Sequence, residues 1–376
     1  MGPGEHRKKM ARWTGPIVFL LVLQSIAFAQ ADPKTALLER AGWEALAAGR
    51  AHEAANAFRE AIAGDPKNAE LYLGAGAAAL LERRDTDART ALEYALALDP
   101  KLSRARALLG QVLYRSGDLP GAIRLYETLI TEVPGDKQAA ATLDRWHREA
   151  ALNDRLQQAV GSHFTVSFEG PEEAALADRA LDALERAFWR VGGTIGTYPY
   201  APIPVVLYSN EQFRDITRSP SWAAGAYDGT IRVPMRGALN DPEELDRVLA
   251  HEFTHALVRE IAPHGVPTWL NEGLATALES GDLGWAERRM HQAAEPVPLD
   301  ALASSFSRFS GSQAQLAYAA SALAVRQLID EAGGPAVVNL LRDLGDGVGF
   351  EAAFTHRMQR TFGDFQAAFA TGRKSR

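Results

Sequence analysis

Pro66, Pro100 and Pro134 stand 34 residues apart, and the same interval separates Gly42, Gly76 and Gly110, and Ala54, Ala88 and Ala122. A fixed period of this length across an Ala-rich, helix-favouring stretch restricts the chain to stacked copies of one supersecondary unit. Phe58, Leu92 and Tyr126, four residues beyond each of those alanines, give every unit one large apolar side chain. Gly and Ala allow two helices to approach closely, the large residue fills the space between neighbours, and proline stops the second helix.

The pattern resembles three tetratricopeptide repeats covering residues 35–137, each a pair of antiparallel helices. Leu38 and Tyr72 occupy the position where that motif prefers Trp, whereas Arg106 does not suit it, so the third repeat should have the weakest first helix. Residues 138–157, from Gln138 through Trp146 to Leu156, read as a polar-faced capping helix and linker. The resemblance implies a peptide or protein partner held in a concave groove. The alternative is a short array that only orients the rest of the chain.

A second feature is chemical. His251-Glu252-Phe253-Thr254-His255 places two imidazoles four residues apart, on one face of a helix, where they can share one metal ion. Glu252 is rotated away from that point but can reach a water held there. Asp241, Pro242 and Glu244 form an N-terminal signal of the capping-box kind, and Leu245, Val248, Leu249, Phe253, Ala256, Leu257 and Ile261 recur at helical spacing before Pro263 and Gly265. The histidines are therefore expected in mid-helix. A catalytic zinc takes three protein ligands and leaves one position to water, and the best third candidate is Glu272 in Trp269-Leu270-Asn271-Glu272-Gly273.

This pairing of segments resembles the gluzincin zinc metallopeptidases, most closely the compact bacterial peptidase MA-like domains. The resemblance implies one Zn2+ on His251, His255 and Glu272, with Glu252 as general base. It also puts Tyr318 where related domains carry a tyrosine able to donate to an oxyanion, with Tyr227 as competitor and a plain core aromatic as the other reading of Tyr318. Glu279, two helical turns after Glu272, is either a carboxylate holding the far nitrogen of a ligand histidine or a surface group. His264, His291 and His356 read as structural or exposed. Other divalent ions also fit a set of two histidines and one carboxylate.

Past Gly161 the periodicity changes. His163–Phe168 alternates as a strand, Glu172–Gly192 is an amphipathic helix, and Pro204–Tyr208 and Thr230–Pro234 are short strands, the last with a proline suited to a sheet edge. In gluzincins an edge strand ahead of the metal helix receives substrate backbone, which makes Gly229–Pro234 the candidate here. Helices are expected over 315–331, 335–344, 350–358 and 362–370. The fold class is α+β: an all-α repeat array, then a zincin-like domain over 161–376 with a small sheet and a mostly helical carboxy-terminal part.

Arg7, Lys8, Lys9 and Arg12 precede an apolar run of about a dozen residues, shorter than the ~20 that span a bilayer. With Ala27-Phe28-Ala29 this reads as a signal peptide over residues 1–29 and predicts an exported, periplasmic or secreted protein; a retained anchor is the alternative. The chain carries −7 overall and its first 29 residues carry +3, so the remainder carries −10, which argues against nucleic acid and against anionic membrane as partners. It has no cysteine, which excludes thiolate metal sites, disulfides and cysteine nucleophiles.

The expected function is an exported zinc metallopeptidase with a partner-binding array. Gly225-Ala226-Tyr227-Asp228 departs from the Gly-x-Met-Glu-Asn strand with which aminopeptidase-N-like enzymes grip a free amino terminus, so endopeptidase action on peptide or protein substrates is the default. The rival reading is a non-catalytic adaptor with a vestigial zincin domain. Hydrolysis of a non-peptide bond is a third.

Overall fold

The computed structural model describes residues 33–82, 84–170, 173–217, 226–227, 229–234, 241–293, 297–306 and 309–371. The leader expected over 1–29 lies outside them, as do Gly225 and Asp228. The described chain forms two compact units, one running to Tyr114 and including Gly121–Ala140, the other comprising Arg115–Pro120 and the chain from Ala141 onward. No helix among the described residues is long and apolar enough to cross a membrane.

The first unit carries the repeat. Its helices are α1 (Pro33–Ala47), α2 (Ala51–Gly64), α3 (Ala69–Leu81), α4 (Asp85–Leu98), α5 (Ser103–Arg115) and α6 (Leu119–Glu132). A Cβ on Gly42 would sit 2.7 Å from the Phe58 ring, one on Gly76 2.7 Å from Leu92, and one on Gly110 2.6 Å from Tyr126. These approaches are shorter than carbon atoms tolerate, so glycine and the large residue form one packing unit in every repeat. Arg106 is buried without leaving a hole, because its guanidinium pairs with Glu132 and donates to the Pro100 carbonyl.

Helix α7 (Lys137–Asn153) follows, with Asp136 accepting the Gln138 and Ala139 N–H groups at its start. It ends three residues short of Leu156, which instead opens strand β1 (Leu156–Val160). β1 pairs antiparallel with β2 (Phe164–Glu169), a pairing absent from the sequence pattern because Leu-Gln-Gln-Ala-Val has no alternating apolar face. After α8 (Ala174–Ile195) come β3 (Ile203–Tyr208), α9 (Asn210–Thr217), β4 (Ala226–Tyr227) and β5 (Ile231–Pro234). The sheet order is β1-β2-β3-β5-β4, parallel from β2 through β3 to β5 and antiparallel at both ends.

This order corrects one expectation. β5 is not the terminal strand, because β4 pairs with it at Ala226↔Arg232 and Tyr227↔Ile231 and occupies at those two positions the edge expected to receive substrate. A two-residue strand lies below what periodicity can register.

Alternate side chains of β3 enter two different cores, as the two-residue period requires. Val205 and Leu207 join Phe164, Val166, Ile231 and Val233 under α8, while Val206 and Tyr208 pack with Leu152 of α7 and with Phe213 and Ile216 of α9. On that second side Arg232 is held by Glu149 of α7 at 2.8 Å and donates to the Tyr208 hydroxyl at 2.5 Å, which satisfies a buried charge in the middle of a strand.

The rest is helical: α10 (Pro242–Ile261), α11 (Thr268–Glu279), α12 (Gly284–His291), a 3-10 turn at Asp300–Leu302, α13 (Gly311–Ala332), α14 (Gly334–Gly345), α15 (Phe350–Met358) and α16 (Phe362–Thr371). α10 packs on α8 and α11, and α11 packs on α13. The α10–α11 connection turns at Gly265, whose φ of +81° and 3.0 Å Cβ approach to the Leu344 carbonyl both require glycine.

Candidate metal centre

α10 begins as its sequence directs. The Asp241 carboxylate accepts the Glu244 N–H at 3.0 Å, and Pro242 takes the first turn. The reciprocal half of the capping box is replaced, since the Glu244 carboxylate grips Arg247 at 2.6 and 2.8 Å. Phe253, fully buried, meets Phe164 edge-on at 5.5 Å and Phe188 at 6.0 Å, which fixes the roll of the helix. With Phe253 turned inward, His251 and His255 share one neighbouring face and Glu252 sits beside them, only 7% exposed.

α11 delivers the carboxylate. Trp269 and Leu270 are buried on its first turn, and Trp269 stacks on Phe362 at 5.6 Å. Gly273 is the point of closest approach to α13, since a Cβ there would lie 2.5 Å from the Ser321 carbonyl oxygen. That contact brings α13, and Tyr318 on it, against the residue before Gly273, Glu272.

His251, His255 and Glu272 are thereby brought together. The two Nε2 atoms lie 3.2 Å apart, and a Glu272 carboxylate oxygen lies 3.5 Å from His255 Nε2 and 3.7 Å from His251 Nε2. Ligand atoms ~2.0–2.2 Å from a tetrahedral cation stand roughly 3.3–3.6 Å apart, so this triangle has the size of a three-ligand site. The side chains are 15–20% exposed, open enough for water to reach them.

The outward nitrogens are also engaged. His251 Nδ1 lies 2.7 Å from Glu279 Oε2, and His255 Nδ1 lies 3.2 Å from Asn271 Oδ1. Glu279 is therefore a buried partner of the first histidine and not a surface group. Its other oxygen takes Arg247 Nη1 at 2.8 Å.

The electrostatics follow from crowding two imidazoles among three carboxylates. Burial alone would lower the His251 imidazole, but hydrogen bonds to Glu272 and Glu279 and the charge of Glu252 push it up to about 10. His255 is raised too, against burial, chiefly by Glu272. Partial burial would raise Glu272, yet the imidazoles hold its carboxyl well below the usual range. Burial raises Glu252 in spite of both imidazoles. Raised imidazoles favour a proton among the ligand atoms at neutral pH. A divalent cation would have to displace it, so affinity is expected to rise about tenfold per pH unit for each proton released, through the range below the His251 value. Titrations with divalent metal near about pH 6 and about pH 8 check this, and equal affinities would show that no proton is displaced.

Tyr318 reaches the cluster. Burial, the charges of Glu272, Glu252 and Glu279 and a hydrogen bond to Glu272 hold its phenol above the usual range, and Phe306 packs edge-on against its ring at 5.3 Å. Tyr227 lies on β4 with the Arg259 guanidinium over its ring at 6.0 Å. His264 is half-buried, His291 is exposed, and His356 is exposed beside Asp343. Among the described residues the one group of His, Asp and Glu gathered tightly enough for a metal is His251, His255 and Glu272.

Two members lie outside the sequence motif. Asn271 directly precedes Glu272, so on α11 it is turned only a quarter of the circle from it. Arg247 precedes His251 by four residues, as His251 precedes His255, so the helical period that revealed the imidazoles also carried the arginine.

Residues 183–364 match the model of the Peptidase MA superfamily, and residues 39–103 and 79–145 match two tetratricopeptide-repeat models. No curated protein matches the chain. Among solved structures, the first TPR of Spaghetti (RPAP3) bound to HSP90 peptide SRMEEVD is similar at 21% identity, covering 31% of this chain and 96% of that one with a TM-score of 0.31. The NMR structure of the first TPR domain of the human RPAP3 protein is similar at 20% identity, covering 32% and 94% with a TM-score of 0.31. With the paired helices of the first unit and the His–Glu cluster of the second, the matched spans give the organisation of the chain: tetratricopeptide repeats over residues 39–145, followed by a Peptidase MA superfamily domain over residues 183–364.

Proposed function

We propose that this chain is an exported zinc metallopeptidase of the gluzincin type, acting as an endopeptidase, with its repeats serving a protein partner. The observation that carries the reading is the triangle of two Nε2 atoms and one carboxylate oxygen with edges of 3.2, 3.5 and 3.7 Å, beside a buried glutamate. His251, His255 and Glu272 would hold the zinc, which when bound supplies an acidified water and polarises the scissile carbonyl. Glu252 takes the proton of the attacking water and passes it to the leaving amine. Burial raises its carboxyl, which makes it a stronger base than an exposed glutamate. The Tyr318 hydroxyl, held in protonated form by the surrounding carboxylates, donates to the developing oxyanion.

Export is read from the basic residues and apolar run before Ala29, and endopeptidase action from the missing Gly-x-Met-Glu-Asn strand. The deciding experiment uses the purified full chain. One zinc per chain, with proteolysis abolished by a chelator and restored by added zinc, is the expected result. A metal-free, inert protein that still captures a partner would overturn it in favour of the adaptor.

A further inference from the structure

Resting on the metal reading above, we propose that Arg247 is a positioning residue for the cation, acting through Glu279 on His251. Arg247 stands one turn before His251 on the same face of α10, and its guanidinium spans two carboxylates from opposite directions. Glu244 takes Nε and Nη2 at 2.8 and 2.6 Å, and Glu279 Oε1 takes Nη1 at 2.8 Å. The planar fork is thus fixed on its solvent side by a residue of its own helix and presents one N–H inward. Arg247 is 40% exposed and Glu279 only 5%, so the contact delivers a surface charge to a buried acceptor.

The consequence lies in the second oxygen of Glu279. The Glu279 carboxylate divides its two oxygens: Arg247 takes Oε1, and Oε2 faces the imidazole at 2.7 Å from Nδ1. With a cation bound, that contact would keep the remaining His251 proton on Nδ1 and leave the Nε2 lone pair, on the side of His255 and Glu272, for the ion. The backbone beneath Glu279 is held as well: Arg190 of α8 donates to the carbonyls of Leu278 and Glu279 in the last turn of α11. His255 has a weaker arrangement, with a neutral amide oxygen of Asn271 at 3.2 Å from Nδ1. The two ligand histidines are therefore unequal. His251 is the one fixed by a charged chain running Glu244, Arg247, Glu279, imidazole.

Removing the guanidinium leaves Glu279 buried with one oxygen unfilled, free to rotate and to share its charge between positions. The imidazole then loses its fixed partner, and the metal should leave faster. The measurement is the rate at which a chelator strips zinc from the full-length, zinc-loaded protein. Arg247→Leu is expected to release zinc roughly tenfold faster, at the lower end of the range for groups that orient ligands. Arg247→Lys, which keeps the charge but not the fork, should recover part of the difference. In a Glu279→Gln background, itself faster than wild type, Arg247→Leu should change the rate by less than about twofold, because the route runs through Glu279. Arg247→Gln serves in place of Arg247→Leu if the latter does not fold.

Wild-type release from both Arg247→Leu and Arg247→Gln would overturn the proposal, as would an equal acceleration with and without the Glu279 carboxylate. A wild-type chain that takes up no zinc would overturn the metal reading and this inference with it. A wild-type chain that holds zinc while the Arg247 variants match it would overturn the inference alone.

Discussion

Glu252→Gln is expected to keep the cation and lower proteolytic turnover by roughly two to four powers of ten, the usual weight of a positioned general base. Gln has the size and shape of Glu but cannot take a proton from water. Glu252 is not among the three converging ligand groups, so metal content should stay at that of wild type. Stability separates this variant from a simple disruption. Glu252 is 7% exposed and burial already favours its neutral form, so a neutral amide in the same space should leave the thermal midpoint unchanged or raise it. The check is kcat/KM on a protein substrate alongside zinc per chain and a melting curve. Full activity with normal zinc would remove Glu252 from the role of base.

What the sequence disclosed and what it hid divide along physical lines. Periodic, local and buried features were legible. The 34-residue interval matches three helix pairs in which Gly42, Gly76 and Gly110 admit Phe58, Leu92 and Tyr126. Asp241 and Pro242 marked the start of α10 to the residue, because capping is decided within one turn. Gly-rich breaks separate the first three of the four carboxy-terminal helices, and all four lie where the pattern places them, within a few residues. Features that depend on a distant partner were not legible. β1 is a strand because β2 offers it an edge, and its own residues are half-exposed or exposed. β5 read as an edge because its proline permits one, and only the two-residue β4 shows otherwise.

The site divides in the same way. His251, Glu252 and His255 declared themselves by spacing within one helix. Glu272 was selected by its distance from them and its neighbours, and its convergence needed the turn at Gly265 and the close contact of Gly273 with α13, neither of which a local pattern encodes. In the sequence Glu279 reads equally as a structural partner or a surface group, and its burial and its 2.7 Å contact with His251 make it the former. Arg247 was hidden for another reason. An arginine after two glutamates at the start of a helix is the ordinary composition of a solvated first turn, and nothing in one dimension tells which way its fork points.

His251→Ala is the second large effect, and it separates the metal from the fold. Removing one of three donors leaves a two-ligand site, and if binding energy of about 10–16 kcal/mol is shared equally among the ligands, affinity should fall by roughly 300- to 8,000-fold. The fold should survive. His251 is partly exposed, Ala is the best helix former, and the substitution removes one of two imidazoles whose Nε2 atoms stand 3.2 Å apart. Glu279 loses a partner but keeps Arg247, so its buried charge remains compensated. The expected result is an unchanged helical circular-dichroism spectrum, no zinc after dialysis, and no proteolysis. Full zinc occupancy in this variant would mean that the metal does not use His251, and the triangle of donors would lose its function.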